Sequence, residues 1–272
     1  MSNKSKESPP NGEDKYQEII NRSGNTFHCK VSNFFRDQGW SVMISPYYID
    51  TATDKAREID LLCEKVWQSV PSPWAKPIGF RVQLFIECKY VDRDTVFWFD
   101  RRDDARISRE INRQIPVFKD NAYADKHHYN TAALIGLGKL FASGKGQGGG
   151  GEDREPIYLA LNQVLGGLSQ LRGIGTLTPI PSGYRQITVK YPVIVCSTFE
   201  RFRRTEIVGA SDPQTIADNF LLEVDYAYSL AVPERGDTTI RQYSLIDVVA
   251  YDLLSQFIQR LEREGQAVAS LA

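Results

Sequence analysis

The amino-acid sequence predicts an α/β fold, with a mixed central sheet flanked by helices and a long C-terminal helix. Two observations support this prediction: amphipathic helical patterns alternate with short apolar strand patterns, and the composition is that of a globular protein. Of the 272 residues, 42% are hydrophobic and 25% are charged, with a net charge of −1. The 13 Phe, 13 Tyr and 4 Trp exclude disorder as the main state of the chain.

Composition and charge also argue against several classes of protein. A near-neutral chain does not bind nucleic acid by bulk attraction alone, although it can carry a local basic groove. No apolar run approaches the roughly 18 residues of a membrane-spanning helix, and the polar N-terminal segment lacks the apolar stretch of a signal peptide. The four Cys form no CxxC pair, which favours reduced thiols in a cytoplasmic protein over a zinc site or a disulfide framework.

The first half of the chain predicts one helix and three strands. The helix covers residues 24–38, because its apolar side chains share one face, and Gly39 ends it. Those apolar side chains are Phe27, Val31, Phe34 and Phe35. The strands are predicted at residues 40–45, 57–64 and 80–90.

The second half begins with a charged helix at residues 101–113 and a Gly-rich loop at 144–153. A helix is predicted over residues 157–172, where Gly166 and Gly167 suggest close packing against a neighbouring element. Two further strands are predicted at residues 191–197 and 220–230.

The last helix is predicted to begin with a capping box formed by Ser244 and Asp247 and to end at Gly265. It would span about 30 Å and serve either as a core helix or as a dimer contact. Residues 1–13 predict a disordered tail, and residues 14–272 predict a single domain.

Two short segments carry the chemistry. The segment REIDLL contains Glu58 and Asp60, and the segment FIECKY contains Glu87, 27 positions after Asp60, and Lys89. Strand side chains alternate, so Glu58 and Asp60 share one face, as do Glu87 and Lys89. If the two strands are neighbours, Asp60, Glu87 and Lys89 converge at the end of an otherwise apolar sheet.

Such a cluster suits a divalent cation. Two carboxylates and the backbone carbonyl of Cys88 are hard oxygen ligands of the kind that Mg²⁺ prefers, and Mn²⁺ is the expected substitute. A cation held there can activate water, while Lys89 adds positive charge beside a phosphate. The competing interpretation is a pair of strands with solvated charges and a cross-strand ion pair.

The order of these elements resembles the PD-(D/E)xK nuclease superfamily, which has the restriction-endonuclease-like fold. In that family a helix leads to strands bearing an acid and then to a strand bearing (D/E)xK. Asp60 matches the first acid, and Glu87 and Lys89 match the second motif. The resemblance covers residues 25–200, although its specific part is the two short motifs.

The sequence departs from this family in one respect. Many members have a Glu in the first helix, often after a Phe, whereas here Phe27 is followed by His28. His28 and Glu58 are therefore candidate accessory groups, as a polar neighbour or ligand of the metal and as an additional acid. This substitution leaves open whether one or two metals bind.

Contacts to phosphate are predicted from the charged helix. Four of its cations lie along one side at i+4, i+3 and i+4 steps, namely Arg102, Arg106, Arg109 and Arg113. The competing interpretation is a solvated helix neutralised by its own acids. The pair His127–His128 has no partner at metal spacing in the sequence and is predicted to lie on the surface.

These features predict a Mg²⁺-dependent nuclease. The resemblance implies DNA rather than RNA as substrate and a role in bacterial defence or DNA repair, and dimerisation would supply two active sites for cutting both strands. One alternative is an inactive nuclease-fold module that binds nucleic acid or a partner protein. Another is a scaffold that oligomerises through its last helix.

Overall fold

The structure is a computed structural model that describes most of the chain. The described residues are 15–17, 19–20, 23–50, 54–71, 73–74, 76–115, 126–131, 136–144, 156–171, 175–209, 212–232 and 236–270. The predicted tail at 1–13 lies outside them, and so does the predicted loop at 144–153 apart from Gly144. Within the described ranges, no helix combines the length and the apolar character needed to span a membrane.

The fold is α/β, as predicted, and the structure gives the bounds of twelve strands and five helices, while residues 15–17 and 19–20 are also helical. The strands are β1 (Ser41–Ile44), β2 (Tyr47–Asp50), β3 (Lys55–Glu58), β4 (Leu61–Gln68), β5 (Ile78–Lys89), β6 (Thr95–Asp100), β7 (Leu137–Ser143), β8 (Arg185–Cys196), β9 (Phe202–Glu206), β10 (Gln214–Thr215), β11 (Phe220–Val232) and β12 (Gly236–Ala250). The helices are α1 (Asn25–Asp37), α2 (Asp104–Gln114), α3 (His128–Thr131), α4 (Pro156–Gln170) and α5 (Leu254–Ser270), with a 3₁₀ turn at Tyr251–Leu253.

Ten strands form one mixed sheet in the order β1-β4-β5-β8-β12-β11-β7-β6-β9-β10, and β2 and β3 form a separate hairpin. The strand β5 pairs antiparallel with β4 and parallel with β8. In the β4–β5 register, Leu61 lies opposite Ile86. The two strands that carry the sequence motifs are therefore neighbours, as the sequence analysis required.

Helices cover both faces of the sheet. The first face packs against α1, α2, α3 and α5, and its core includes Phe35, Leu61 and Ile86. The second face packs against α4, and its core includes Leu62 and Phe85. Successive residues of β4 thus point to opposite cores, which is the alternation expected of a strand buried on both sides.

The two glycines of α4 allow the close packing that the sequence predicts. A Cβ added to Gly166 would lie 2.6 Å from the Tyr48 hydroxyl, and one added to Gly167 would lie 2.4 Å from Cγ2 of Ile59. Helix α4 therefore sits directly against β2 and the chain just before Asp60.

The prediction of one strand over residues 57–64 was wrong. The strand β3 ends at Glu58 and pairs with β2, whereas β4 begins at Leu61 and pairs with β1 and β5. Asp60 lies in the break, where its carbonyl accepts a hydrogen bond from the amide of Ser45 at 2.9 Å. The alternation of polar and apolar residues continues across Asp60, so the sequence pattern does not reveal that the chain changes its pairing partner there.

The start and the end of the last helix were also predicted wrongly. Ser244 and Asp247 lie within β12, and α5 begins only at Leu254. Gly265 lies inside α5 rather than at its end. A glycine fits this position because a Cβ there would come within 2.3 Å of the Trp67 ring. The apolar face of α5, including Phe257 and Leu261, is buried in the core of this chain, so α5 is a core helix.

Candidate metal and catalytic site

The register of β4 and β5 brings Asp60 and Glu87 together. The amide of Cys88 donates a hydrogen bond to Oδ2 of Asp60 at 2.7 Å, and the amide of Asp60 donates to Oε1 of Glu87 at 3.3 Å. Asp60 is 8% exposed and Glu87 is fully buried. The two carboxyl groups thus lie together in one largely buried site.

Lys89 joins this pair on the same face of β5. Its Nζ donates to Oε2 of Glu87 at 3.1 Å and to Oε1 of Gln163 at 3.3 Å. Gln163 lies on α4, so this helix also helps to hold the ammonium group of Lys89 in position. The sequence analysis missed Gln163 because no motif marks it.

Burial, followed by the negative charge of Asp60, raises the pKa of Glu87 to about 8 against the opposing effect of Lys89. Both causes disfavour the ionised form, since a buried carboxylate beside a second carboxylate lacks solvation and repels its neighbour. A divalent cation at this site would favour ionisation of both carboxyl groups.

The donor set fits a hard divalent cation. Asp60 and Glu87 supply carboxylate oxygens within one hydrogen-bonded unit. The N–H and C=O of one strand residue point to the same side, so the carbonyl of Cys88 also faces Asp60. Oxygen ligands of this kind suit Mg²⁺ or Mn²⁺ better than a thiolate site would.

His28 lies at this site, but Glu58 does not join it. Nε2 of His28, on α1, lies 3.3 Å from Oδ2 of Asp60. Glu58 lies in the hairpin opposite Tyr47 and accepts a hydrogen bond from its hydroxyl, which raises the pKa of Tyr47. The expectation that Glu58 and Asp60 share a strand face was wrong, because the strand breaks between them.

The predicted arginine surface on α2 is largely neutralised within the chain. Arg106 binds Glu223 at 2.6 Å and Asp225 at 2.5 Å, and its guanidinium lies over the Tyr243 ring. Arg102 binds Asp104, and Arg113 binds Glu110. Arg109 is exposed. Arg106 therefore links α2 to β11, whereas Asp104 and Glu110, which pair with Arg102 and Arg113, lie on α2 itself.

The prediction that His127 and His128 lie on the surface was wrong, because both are fully buried. Nδ1 of His128 lies 2.8 Å from Glu264 on α5, and its Nε2 lies 3.1 Å from Asp247 on β12. The Tyr191 hydroxyl donates to Glu264 at 2.5 Å and lies 3.0 Å from Nε2 of His127. We call these five residues the histidine network.

The histidine network sets one imidazolium between two carboxylates. Burial alone would lower the pKa of His128, but Asp247 and Glu264 outweigh it and raise the pKa to about 9, so the ring is an imidazolium at neutral pH. Burial lowers the pKa of His127 to about 3, so that ring is neutral.

His127, His128 and Glu264 lie close enough for metal ligation, with ligand atoms within 4.8 Å of one another. However, both nitrogens of His128 already face carboxylates, and Nδ1 of His127 accepts a hydrogen bond from the Tyr129 amide. Protein groups thus occupy the donors, which is the arrangement of a structural network.

Comparison with known proteins gives no relative. None of the protein-family models, curated proteins or solved structures that were compared with the chain matches it.

Proposed function

We propose that this protein is a metal-dependent nuclease that hydrolyses phosphodiester bonds, with a restriction-endonuclease-like core and DNA as its expected substrate. The observation that supports this most is the buried pair of Asp60 and Glu87 with Lys89 beside it. A carboxyl group whose pKa is strongly raised by burial and by a second carboxyl group is typical of a functional site, and a bound cation would favour its ionised form. The four free cysteines of the protein favour a cytoplasmic location.

In the proposed reaction, Asp60, Glu87 and the carbonyl of Cys88 would hold Mg²⁺, which would make water more acidic and neutralise phosphate charge. Lys89 is placed to orient the attacking water or to stabilise negative charge on the phosphate. Gln163 holds the ammonium group in position, and His28 orients Asp60. A homodimer that cuts both strands would have to use a surface other than the buried face of α5.

The test is cleavage of supercoiled plasmid, linear duplex, single-stranded DNA and RNA with Mg²⁺ or Mn²⁺. Wild type would be compared with Asp60→Asn and Lys89→Met, each of which should lower the rate at least about 100-fold. Two matched controls should cut like wild type: Asp212→Asn, at an exposed position beside the far edge strand β10, and Lys76→Met, at an exposed position near the opposite end of β5 from Lys89.

Two outcomes contradict the proposal. Equal cutting by wild type and both site variants would place the activity elsewhere or in a contaminant. If no preparation cuts any substrate with either cation, the inactive nucleic-acid-binding module becomes the better account.

A further inference from the structure

A cleft of about 610 Å³ opens directly beside the candidate site. Its walls come from the β2–β3 hairpin, α4 and β11, and three of the lining side chains are tyrosines, namely Tyr48, Tyr158 and Tyr226. Asn162 and Gln163 of α4 add amide groups. We call this region the tyrosine cleft.

The tyrosine cleft is continuous with the candidate site through Gln163. Its side-chain oxygen accepts the hydrogen bond from Lys89, and its backbone carbonyl accepts one from the Tyr48 hydroxyl at 3.2 Å. Burial, followed by the charge of Glu87, raises the pKa of Tyr48, so this ring lies within electrostatic reach of the carboxylate pair. A phosphate held at Lys89 would therefore have its attached nucleoside at the mouth of the cleft.

Helix α4 presents a stacking surface to the tyrosine cleft. Tyr158, Asn162 and Gly166 follow one another at i+4 steps and so share one face of the helix. Gly166 lets the Tyr48 ring lie against the helix backbone, since a Cβ there would lie 2.6 Å from the Tyr48 hydroxyl. Tyr158 remains 58% exposed, which leaves its ring available to a ligand.

The charge of the tyrosine cleft does not suit a double helix. Its charged lining residues are Asp50 and Arg57, whose side chains lie 3.7 Å apart and offset each other. Duplex binding depends on cations that neutralise phosphates. Aromatic rings with amide neighbours instead bind unpaired bases, which stack on the ring and expose hydrogen-bonding edges to the amides.

We infer that the tyrosine cleft binds an unpaired nucleobase next to the scissile phosphate, so that the preferred substrate is a single strand or an unpaired end. This inference rests on the proposed function for its choice of nucleic acid as the ligand. Tyr158 provides the stacking face and Asn162 the amide for the base edge.

The test is binding without hydrolysis, measured in EDTA by fluorescence anisotropy. The probes are a labelled single-stranded oligonucleotide, its matched duplex and a single strand of the same length with abasic positions. Wild type should bind the intact single strand about tenfold more tightly than either other probe. Tyr158→Ala should lose about tenfold on the intact strand alone, whereas Tyr158→Phe keeps the ring and should stay within about twofold.

Tyr16→Ala, at another exposed tyrosine, is the matched control and should bind like wild type. The inference is overturned if duplex binds as tightly as the single strand, or if Tyr158→Ala binds like wild type. If the proposed function is wrong while the tyrosine cleft does bind a base, the intact single strand would still bind through Tyr158, but no preparation would hydrolyse it. Hydrolysis that requires Asp60 but ignores Tyr158 would overturn only the inference about the cleft.

Discussion

The histidine network and the candidate site are both buried charged clusters, and they differ in what surrounds them. In the histidine network, one imidazolium lies between two carboxylates from α5 and β12, and every ring nitrogen has a protein partner. At the candidate site, two carboxyl groups face each other with one ammonium group, beside an open cleft. Each cluster sets one cation against two carboxyl groups, but the two histidines are fully buried, whereas the candidate site lies beside space that a ligand can enter.

This difference distinguishes charged groups that stabilise the packing of the fold from charged groups that can bind a ligand. A buried ion pair with satisfied hydrogen bonds fixes the packing of the elements that supply it, here α3, β12 and α5. At the candidate site, the raised pKa of Glu87 reflects the cost of ionising a second buried carboxyl group, and a bound cation would offset that cost.

Removing His128 should have the largest effect on stability. His128→Ala leaves Asp247 and Glu264 buried without their cation, which should lower the free energy of unfolding by about 3–5 kcal/mol. Urea denaturation measures this change, with the exposed neighbour in Lys126→Ala as control. A loss below about 1 kcal/mol would mean that the network is not structural.

Removing the charge of Glu87 should affect metal binding and not the apo fold. Wild type should gain about 2.7 kcal/mol of stability at a Mg²⁺ concentration 100 times Kd, whereas Glu87→Gln should gain nothing. Thermal unfolding with and without Mg²⁺ distinguishes the two, and an intact Mg²⁺ response in Glu87→Gln would place the metal elsewhere. Asp212→Asn, at an exposed position beside β10, should retain the full response.

The histidine network should also give a characteristic dependence of stability on pH. The pKa of His128 is raised to about 9, so its contribution is complete below pH 6.5 and is lost as the pH rises through 9. The pKa of His127 is lowered to about 3, so its contribution is complete above pH 6.5 and is lost as the pH falls towards 3.

The alkaline loss should approach about 1.4 kcal/mol per pH unit for one proton, measured by urea denaturation between pH 6.5 and 9 in a Glu87→Gln background, because Glu87, with its pKa of about 8, would add a loss of its own in this range. His128→Gln cannot titrate and should lack this alkaline component. An equally steep loss in His128→Gln would assign it to another group.

The smallest expected effect concerns α2. Arg106→Ala removes the ion pairs to Glu223 and Asp225, which should cost about 1 kcal/mol of stability, because Lys139 still pairs with Glu223. Affinity for oligonucleotides should stay unchanged, since this arginine is already paired. If Arg106→Ala lowers the affinity for oligonucleotides more than Arg109→Ala does, the prediction that α2 binds phosphate would be supported after all.

Several features could be predicted from the sequence because they depend on local patterns. The apolar face of α1, the close packing at Gly166 and Gly167, and the neighbouring positions of Asp60, Glu87 and Lys89 all agree with the structure. Helical and strand periodicities are local, and the side-chain alternation in β5 places Glu87 and Lys89 on one face without reference to the rest of the chain.

Other features depended on pairing between distant segments. The region around Ser244 has an almost continuous apolar pattern because β12 is buried on both faces, with Leu245 in one core and Ile246 in the other. Such a pattern suits a buried strand as well as a helix, and only pairing with β8 and β11 decides between them.

The sequence by itself determined the spacing of the two motifs, the helical face of α1 and the presence of an α/β fold. Only the tertiary structure decided which charges are compensated. His128 meets Glu264 across 136 positions, and Arg106 meets Glu223 across 117 positions. Electrostatic compensation depends on distance in space and on burial, and neither quantity is encoded in a local pattern of residues.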